Sequence, residues 1–111
     1  MAVEILRARG VDRDLALLFD ALAASYRALG DTTAEALARA GARVRSVEAT
    51  MAGLGRTAFL ARPRPDLLPD LREVVADRAV YTFLVDREPR RIRILAVSFA
   101  GADPALRDRA R

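Results

Sequence analysis

Cysteine and histidine are both absent from the 111 residues. Without cysteine there are no disulfides, no thiolate chemistry and no cysteine metal site. Without histidine the commonest general base and the commonest metal ligand are gone. Ser25, Ser46 and Ser98 therefore have no imidazole to activate them, and no metal or other cofactor is expected. Glycine-rich phosphate loops are missing too, since Gly53-Leu54-Gly55 reads as a helix end. The acid pairs Asp12/Asp14 and Asp66/Asp70 fall where caps and turns want carboxylates. Four Phe and two Tyr are too few to favour a base-stacking platform. No apolar run approaches the roughly 18 residues of a membrane span. The opening MAVEILRARG lacks the apolar core of about 7–15 residues that a secretory leader carries, so a cytoplasmic protein is expected.

Lysine is absent as well. All 19 basic residues are arginine, against 15 acids, for a net charge of +4. Lysine-free composition fits a GC-rich coding sequence; where the arginines sit carries more information. At this length the chain is expected to form a single domain, residues 1–111, around one modest core.

Residues 2–9 read as a first strand ending at Gly10. Asp12 can cap the next element, and Asp14 suits a first turn near the positive end of the helix dipole. Leu15, Leu18, Phe19, Leu22, Tyr26 and Leu29 recur at helical spacing, which predicts a helix over about 13–29 with Gly30 as its C-terminal cap. Thr32 and Glu35 have capping-box spacing. Leu37, Ala40, Val44, Val47, Met51 and Leu54 then mark a second helix that ends at Gly53 and Gly55. Gly41 inside it suggests a close crossing by the first helix. So short a connection makes the two helices antiparallel neighbours.

A proline-broken loop, Pro63-Arg-Pro-Asp-Leu-Leu-Pro-Asp-Leu-Arg72, leads into three apolar runs: REVV, Arg78 to Val85, and Arg91 to Phe99. The last two are rich in Val, Ile, Tyr, Phe and Thr and are separated by the turn Asp86 to Arg90, a β-hairpin signature. The predicted fold is α+β: an N-terminal strand and an antiparallel two-helix hairpin packed on a mainly antiparallel four-stranded sheet. Leu18, Phe19, Leu22, Val44, Val47 and Met51 are expected in the core. Tyr81, Phe83, Val85, Ile92, Ile94 and Ala96 should face the helices. The opposite face, with Val80, Leu84, Leu95, Val97 and Phe99, is also apolar, more so than a half-solvated sheet needs. A bound partner would cover it.

Arginines crowd the middle of the chain at Arg62, Arg64, Arg72 and Arg78, then at Arg87, Arg90, Arg91 and Arg93; Arg107, Arg109 and Arg111 follow in the tail. Such a cluster suits either a phosphate backbone or an acidic protein surface.

The order of these elements resembles the ParE/RelE superfamily, the toxin half of bacterial type II toxin–antitoxin modules. In its ParE-like branch a "GRPRPDL…LR" segment precedes an "R-x-V-Y-x-x-x-V-D" strand and an "R-I-L-x-V-x-x-G-x-x-D" strand, and residues 62–103 run in that order, ending Gly101-Ala-Asp103. The resemblance implies a toxin that binds and inhibits DNA gyrase, as in plasmid-stabilisation systems, and a ParD-like antitoxin that neutralises it in a hetero-oligomer. Arg62, Arg64, Arg72, Arg78 and Arg93 are then the candidate target-binding residues. Leu84, Leu95, Val97 and Phe99 are the candidate antitoxin-binding residues, and no catalytic residue is assigned. The RelE-like alternative is a ribosome-dependent messenger ribonuclease; a member that only binds its antitoxin is a third. RelE-like cleavage relies on basic residues along the second and third strands, which Arg72 and Arg78 match. It also relies on a basic residue and a Tyr or His soon after the last strand. Here Ala100 to Pro104 supplies neither, the next basic residue is Arg107, and no Tyr follows Tyr81. That set is incomplete, so a non-enzymatic protein is the favoured expectation.

Overall fold

The computed structural model of the chain describes residues 3–57, 62–66, 68–86 and 90–99. Expectations for Arg87, the Gly101–Asp103 close and the arginines of the tail lie outside the described residues. The elements follow as β1 (Glu4–Arg7), α1 (Arg9–Ala28), α2 (Thr33–Ala52), the short α3 (Leu54–Thr57), β2 (Arg62–Pro63), β3 (Leu71–Ala76), β4 (Ala79–Asp86) and β5 (Arg91–Phe99). The sheet has five strands in the order β1-β5-β4-β3-β2, one more than expected. The addition is β2, two residues of the proline loop that pair with Glu73 and Arg72. All pairings are antiparallel except β1 with β5.

Helix α1 starts earlier than its capping signal. Ala8 is the N-cap and makes no side-chain cap bond, and Asp12 lies in the first turn instead. The cause is tertiary. The Ala8 N–H still donates to the Ile94 carbonyl at 2.8 Å, so the chain passes from sheet to helix in one step. The stripe then begins at Val11, fully buried one turn before Leu15. The other end follows the sequence. Gly30 has φ +109°, and the Asp31 and Gly30 N–H groups donate to the Tyr26 and Arg27 carbonyls, a Schellman closure.

The α2 cap is the expected capping box. Glu35 N–H donates to the Thr32 hydroxyl oxygen at 3.2 Å, and Thr32 N–H donates to Glu35 Oε1 at 3.0 Å. These bonds hold the Glu35 carboxyl below its ordinary range. Thr32→Ala is expected to lower stability by about 1 kcal/mol, measured as a shifted urea midpoint with unchanged slope. The helix crossing is closed by Ala36 and Ala40, both fully buried. Gly41 is not what permits it. A Cβ there would sit 3.9 Å from the Phe19 ring and 3.3 Å from the end of the flexible Arg45 side chain.

The core lies between the proximal half of the helical hairpin and one sheet face. Val11, Leu15, Val47, Met51 and Leu54 meet Tyr81, Phe83, Ile92, Ile94 and Val97, with Leu18, Val44, Val85 and Phe99 packed at its margin. Leu22 is buried as expected, while Phe19 is half-buried. Past the sheet the helical stripes run into solvent, leaving Leu29 79% and Leu37 45% exposed.

One expectation about facing is overturned. The β4–β5 ladder pairs Phe83 with Ile94 but Thr82 with Ala96, so Leu95 is an extra residue in a β-bulge. A bulge shifts the inward–outward alternation by one. Ile92 and Ile94 point to the helices as predicted. Beyond the bulge Val97 and Phe99 do so too, and Ala96 turns outward opposite Thr82. The freed Val97 N–H donates to Asp14 Oδ2 of α1 at 3.1 Å, which gives Asp14 a tertiary partner in place of a helix-start role.

Candidate functional site

The outer sheet face has no helical layer over its described residues. Residues paired directly across neighbouring strands share a face, so the register defines it. One row runs Leu71, Leu84, Arg93, Leu6; the next runs Arg62, Glu73, Thr82, Ala96; a third holds Val75, Val80 and Ser98. Leu84 is half-exposed on this side, the unpaired bulge residue Leu95 is half-exposed and stays out of the helix-facing cluster, and Val75 is 60% exposed. Of the four residues assigned to an antitoxin, Leu84 and Leu95 are therefore placed to meet a partner. Val97, 4% exposed, and Phe99, packed against the core, are not. The bulge turns both under the helices, where the Arg43 guanidinium stacks 5.1 Å from the Phe99 ring centroid.

The five candidate target-binding arginines do not form one patch. Arg62 and Arg93 share the outer face and are exposed. Neither side chain makes a hydrogen bond or ion pair among the described residues. Three strand spacings and one row offset separate them, roughly 15 Å, with Leu84 and Thr82 between. Arg64 is engaged: its guanidinium binds both Asp66 oxygens at 3.1 and 2.9 Å and Glu73 Oε2 at 3.3 Å. The Asp66 bonds come first among the causes that raise the Arg64 pKa and lower that of Asp66. Arg72 pairs with Phe83, so it lies on the helix-facing side. Arg78 is not in a strand. With Asp77 it forms the two-residue turn between β3 and β4, whose last and first residues, Ala76 and Ala79, pair directly.

That turn has a feature with no short-range sequence signal. Arg43 of α2 donates from Nη1 to Asp77 Oδ2 at 2.8 Å and from Nη2 to the Asp77 carbonyl, and the Ser46 hydroxyl donates to Asp77 Oδ2 at 2.7 Å. The Ser46 bond, then the Arg43 charge, hold the Asp77 carboxyl below its ordinary range. The partners lie 31 to 34 residues apart, so periodicity could not reveal them.

Tyr81 lies in β4, between the arginine-bearing strands β3 and β5. It is fully buried, and among the described residues its hydroxyl has no partner at hydrogen-bond geometry. The Thr50 side chain is near enough to oppose the shift, but desolvation dominates and pushes the phenol above its ordinary pKa. Among the described residues no three His, Cys, Asp or Glu side chains converge to hold a metal, and no helix is long and apolar enough to cross a membrane.

No family model matches the chain, and no curated protein does. Among solved structures the fold matches a chain of the chromosomal ParDE TA (toxin–antitoxin) system from P. aeruginosa, with a TM-score of 0.63 and 19% sequence identity, over 87% of this chain and 95% of that one. The expected α+β fold is the fold found, and a chain of that ParDE system shares it; at that identity the likeness speaks for the fold alone.

Proposed function

We propose that this protein is a ParE-like toxin of a bacterial type II toxin–antitoxin pair, which acts by binding DNA gyrase and is neutralised by a ParD-like antitoxin. The observation that carries the reading is the fold shared with the ParDE chain over nearly the whole of both molecules. The outer sheet face supports it. With Leu95 half-exposed at the bulge, half-exposed Leu84 lies there beside exposed Arg62 and Arg93, a pairing suited to an acidic amphipathic segment. A bound antitoxin in a hetero-oligomer would cover that apolar surface and raise the toxin's stability by linkage. Action in the cytoplasm, where gyrase works, is part of the same reading.

Burial of Tyr81 favours binding over cleavage. Cutting RNA at neutral pH needs a group that takes a proton from the 2′-hydroxyl and one that protonates the leaving oxygen. The chain has no His, arginine with its pKa above about 12 is a poor proton donor or acceptor, and the Tyr81 hydroxyl is sealed in the core. The test is purified protein added to gyrase with relaxed plasmid and, separately, to translating ribosomes, using wild type and Tyr81→Phe. Blocked supercoiling by both proteins with intact message is expected. Message cleavage that Tyr81→Phe abolishes, with supercoiling untouched, would install the ribonuclease alternative.

A further inference from the structure

Asp77 and Arg78 have φ of 51° and 61°, two successive non-glycine residues in the left-handed region. A two-residue loop with both φ positive is the type I′ hairpin turn, whose usual residues are Asn or Asp followed by Gly. Asp77 suits the first position. Arg78 occupies the glycine position, where a side chain costs on the order of 1 kcal/mol. Among the described residues no side-chain hydrogen bond or ion pair offsets this cost. Arg78 is exposed and makes no hydrogen bond or ion pair among the described residues. The backbone around it is nonetheless held firmly, because Arg43 and Ser46 grip Asp77 by three hydrogen bonds. A strained residue that is rigidly presented, and whose side chain does no more within its own chain than add a minor electrostatic pull on Asp77, points to a contact made elsewhere.

We infer that the β3–β4 turn is a contact point for an acidic protein surface, with Arg78 as the residue that touches the partner and Arg43, Ser46 and Asp77 as positioning residues. It rests on the reading that this protein acts by binding. A carboxylate-bearing protein fits better than a phosphate backbone. Exposed Val75 and its cross-strand neighbour Val80 form an apolar ledge beside the turn, the setting of an arginine hot spot.

Arg78→Gly separates a contact role from a structural one, because the two predict opposite outcomes. Relief of the left-handed strain should raise Tm by a few degrees, about 3–6 °C. If Arg78 contacts the partner, the stabilised variant should still need roughly tenfold more protein to arrest growth in titrated expression without antitoxin. Arg78→Lys, which keeps charge but loses the planar fork, should fall between. Arrest by Arg78→Gly as potent as wild type would overturn the inference, and so would wild type that arrests nothing. Loss confined to binding of naked plasmid DNA or RNA in gel-shift assays would overturn the acidic-protein assignment. Wild type that arrests growth yet leaves purified gyrase unaffected would remove the gyrase reading while keeping the turn as the contact, provided Arg78→Gly still loses arrest.

Discussion

Phe83→Ala is expected to destabilise the domain by about 3–5 kcal/mol, the largest effect of any single truncation proposed here. Phe83 is fully buried in the middle strand of the sheet, opposite Arg72 and Ile94. It belongs to the cluster that joins α1, α2 and α3 to the strands. Removing the ring takes away its transfer energy and leaves a cavity whose walls, set by the sheet on one side and two helices on the other, have little freedom to collapse. For a small domain with total stability of roughly 5–15 kcal/mol that is a large fraction. Leu22→Ala should cost less, toward the lower end of about 2–5 kcal/mol. Leu22 is buried between the helices but lies outside the cluster under the sheet, where helix ends can settle inward. Denaturant melts of both variants provide the check. A Phe83→Ala loss under about 1 kcal/mol, or a larger loss at Leu22, would contradict this placement of the core.

Local signals in the sequence predicted local structure well. Thr32 with Glu35 forms its capping box, Gly30 takes its left-handed cap, and the 3.6-residue stripes find buried faces where the hairpin meets the sheet. These succeed because the causes lie within a few residues of their effects. The errors have distant causes. Asp12 does not cap α1, because the β1–β5 ladder carries the chain straight into the helix through Ala8 and Ile94. Val97 and Phe99 face the wrong way for a partner, because a bulge at Leu95 resets the alternation. An apolar run of Ile-Leu-Ala-Val-Ser-Phe offers no polar residue at the point where its phase changes, so period alone could not place the bulge.

The candidate surface was legible as composition and not as arrangement. An excess of apolar sheet residues is real at Leu84, Leu95 and Val75. The arginines, adjacent in sequence, are scattered in space by strand alternation. Arg72 and Glu73, neighbours in β3, lie on opposite faces, and Arg64 is consumed by Asp66 and Glu73. Arg78 read as the first residue of a strand and Asp77 as the gap before it, since a turn without glycine carries a weak sequence signal. Only the pairing of Ala76 with Ala79 and the grip from α2 reveal it.

That arrangement decides which charge reversal is informative. The double variant Arg62→Glu with Arg93→Glu is expected to abolish growth inhibition while leaving the fold intact. Both side chains are exposed on the outer face and have no partner among the described residues to lose, so the stability change should stay within about 0.5 kcal/mol. The local charge changes by four units on a surface whose partner is expected to be acidic, which converts attraction into repulsion and slows association most. Wild-type binding should accordingly weaken as salt rises from low ionic strength, and the double variant should show little of that dependence. Arg64→Glu is the contrasting control. It places a third carboxylate beside Asp66 and Glu73 and breaks both pairs, so any loss of activity should come with a lowered melting temperature. Circular dichroism melts, titrated growth assays and gyrase pull-downs across a salt series distinguish the cases. A double variant that folds like wild type and still arrests growth would show that Arg62 and Arg93 lie outside the functional surface.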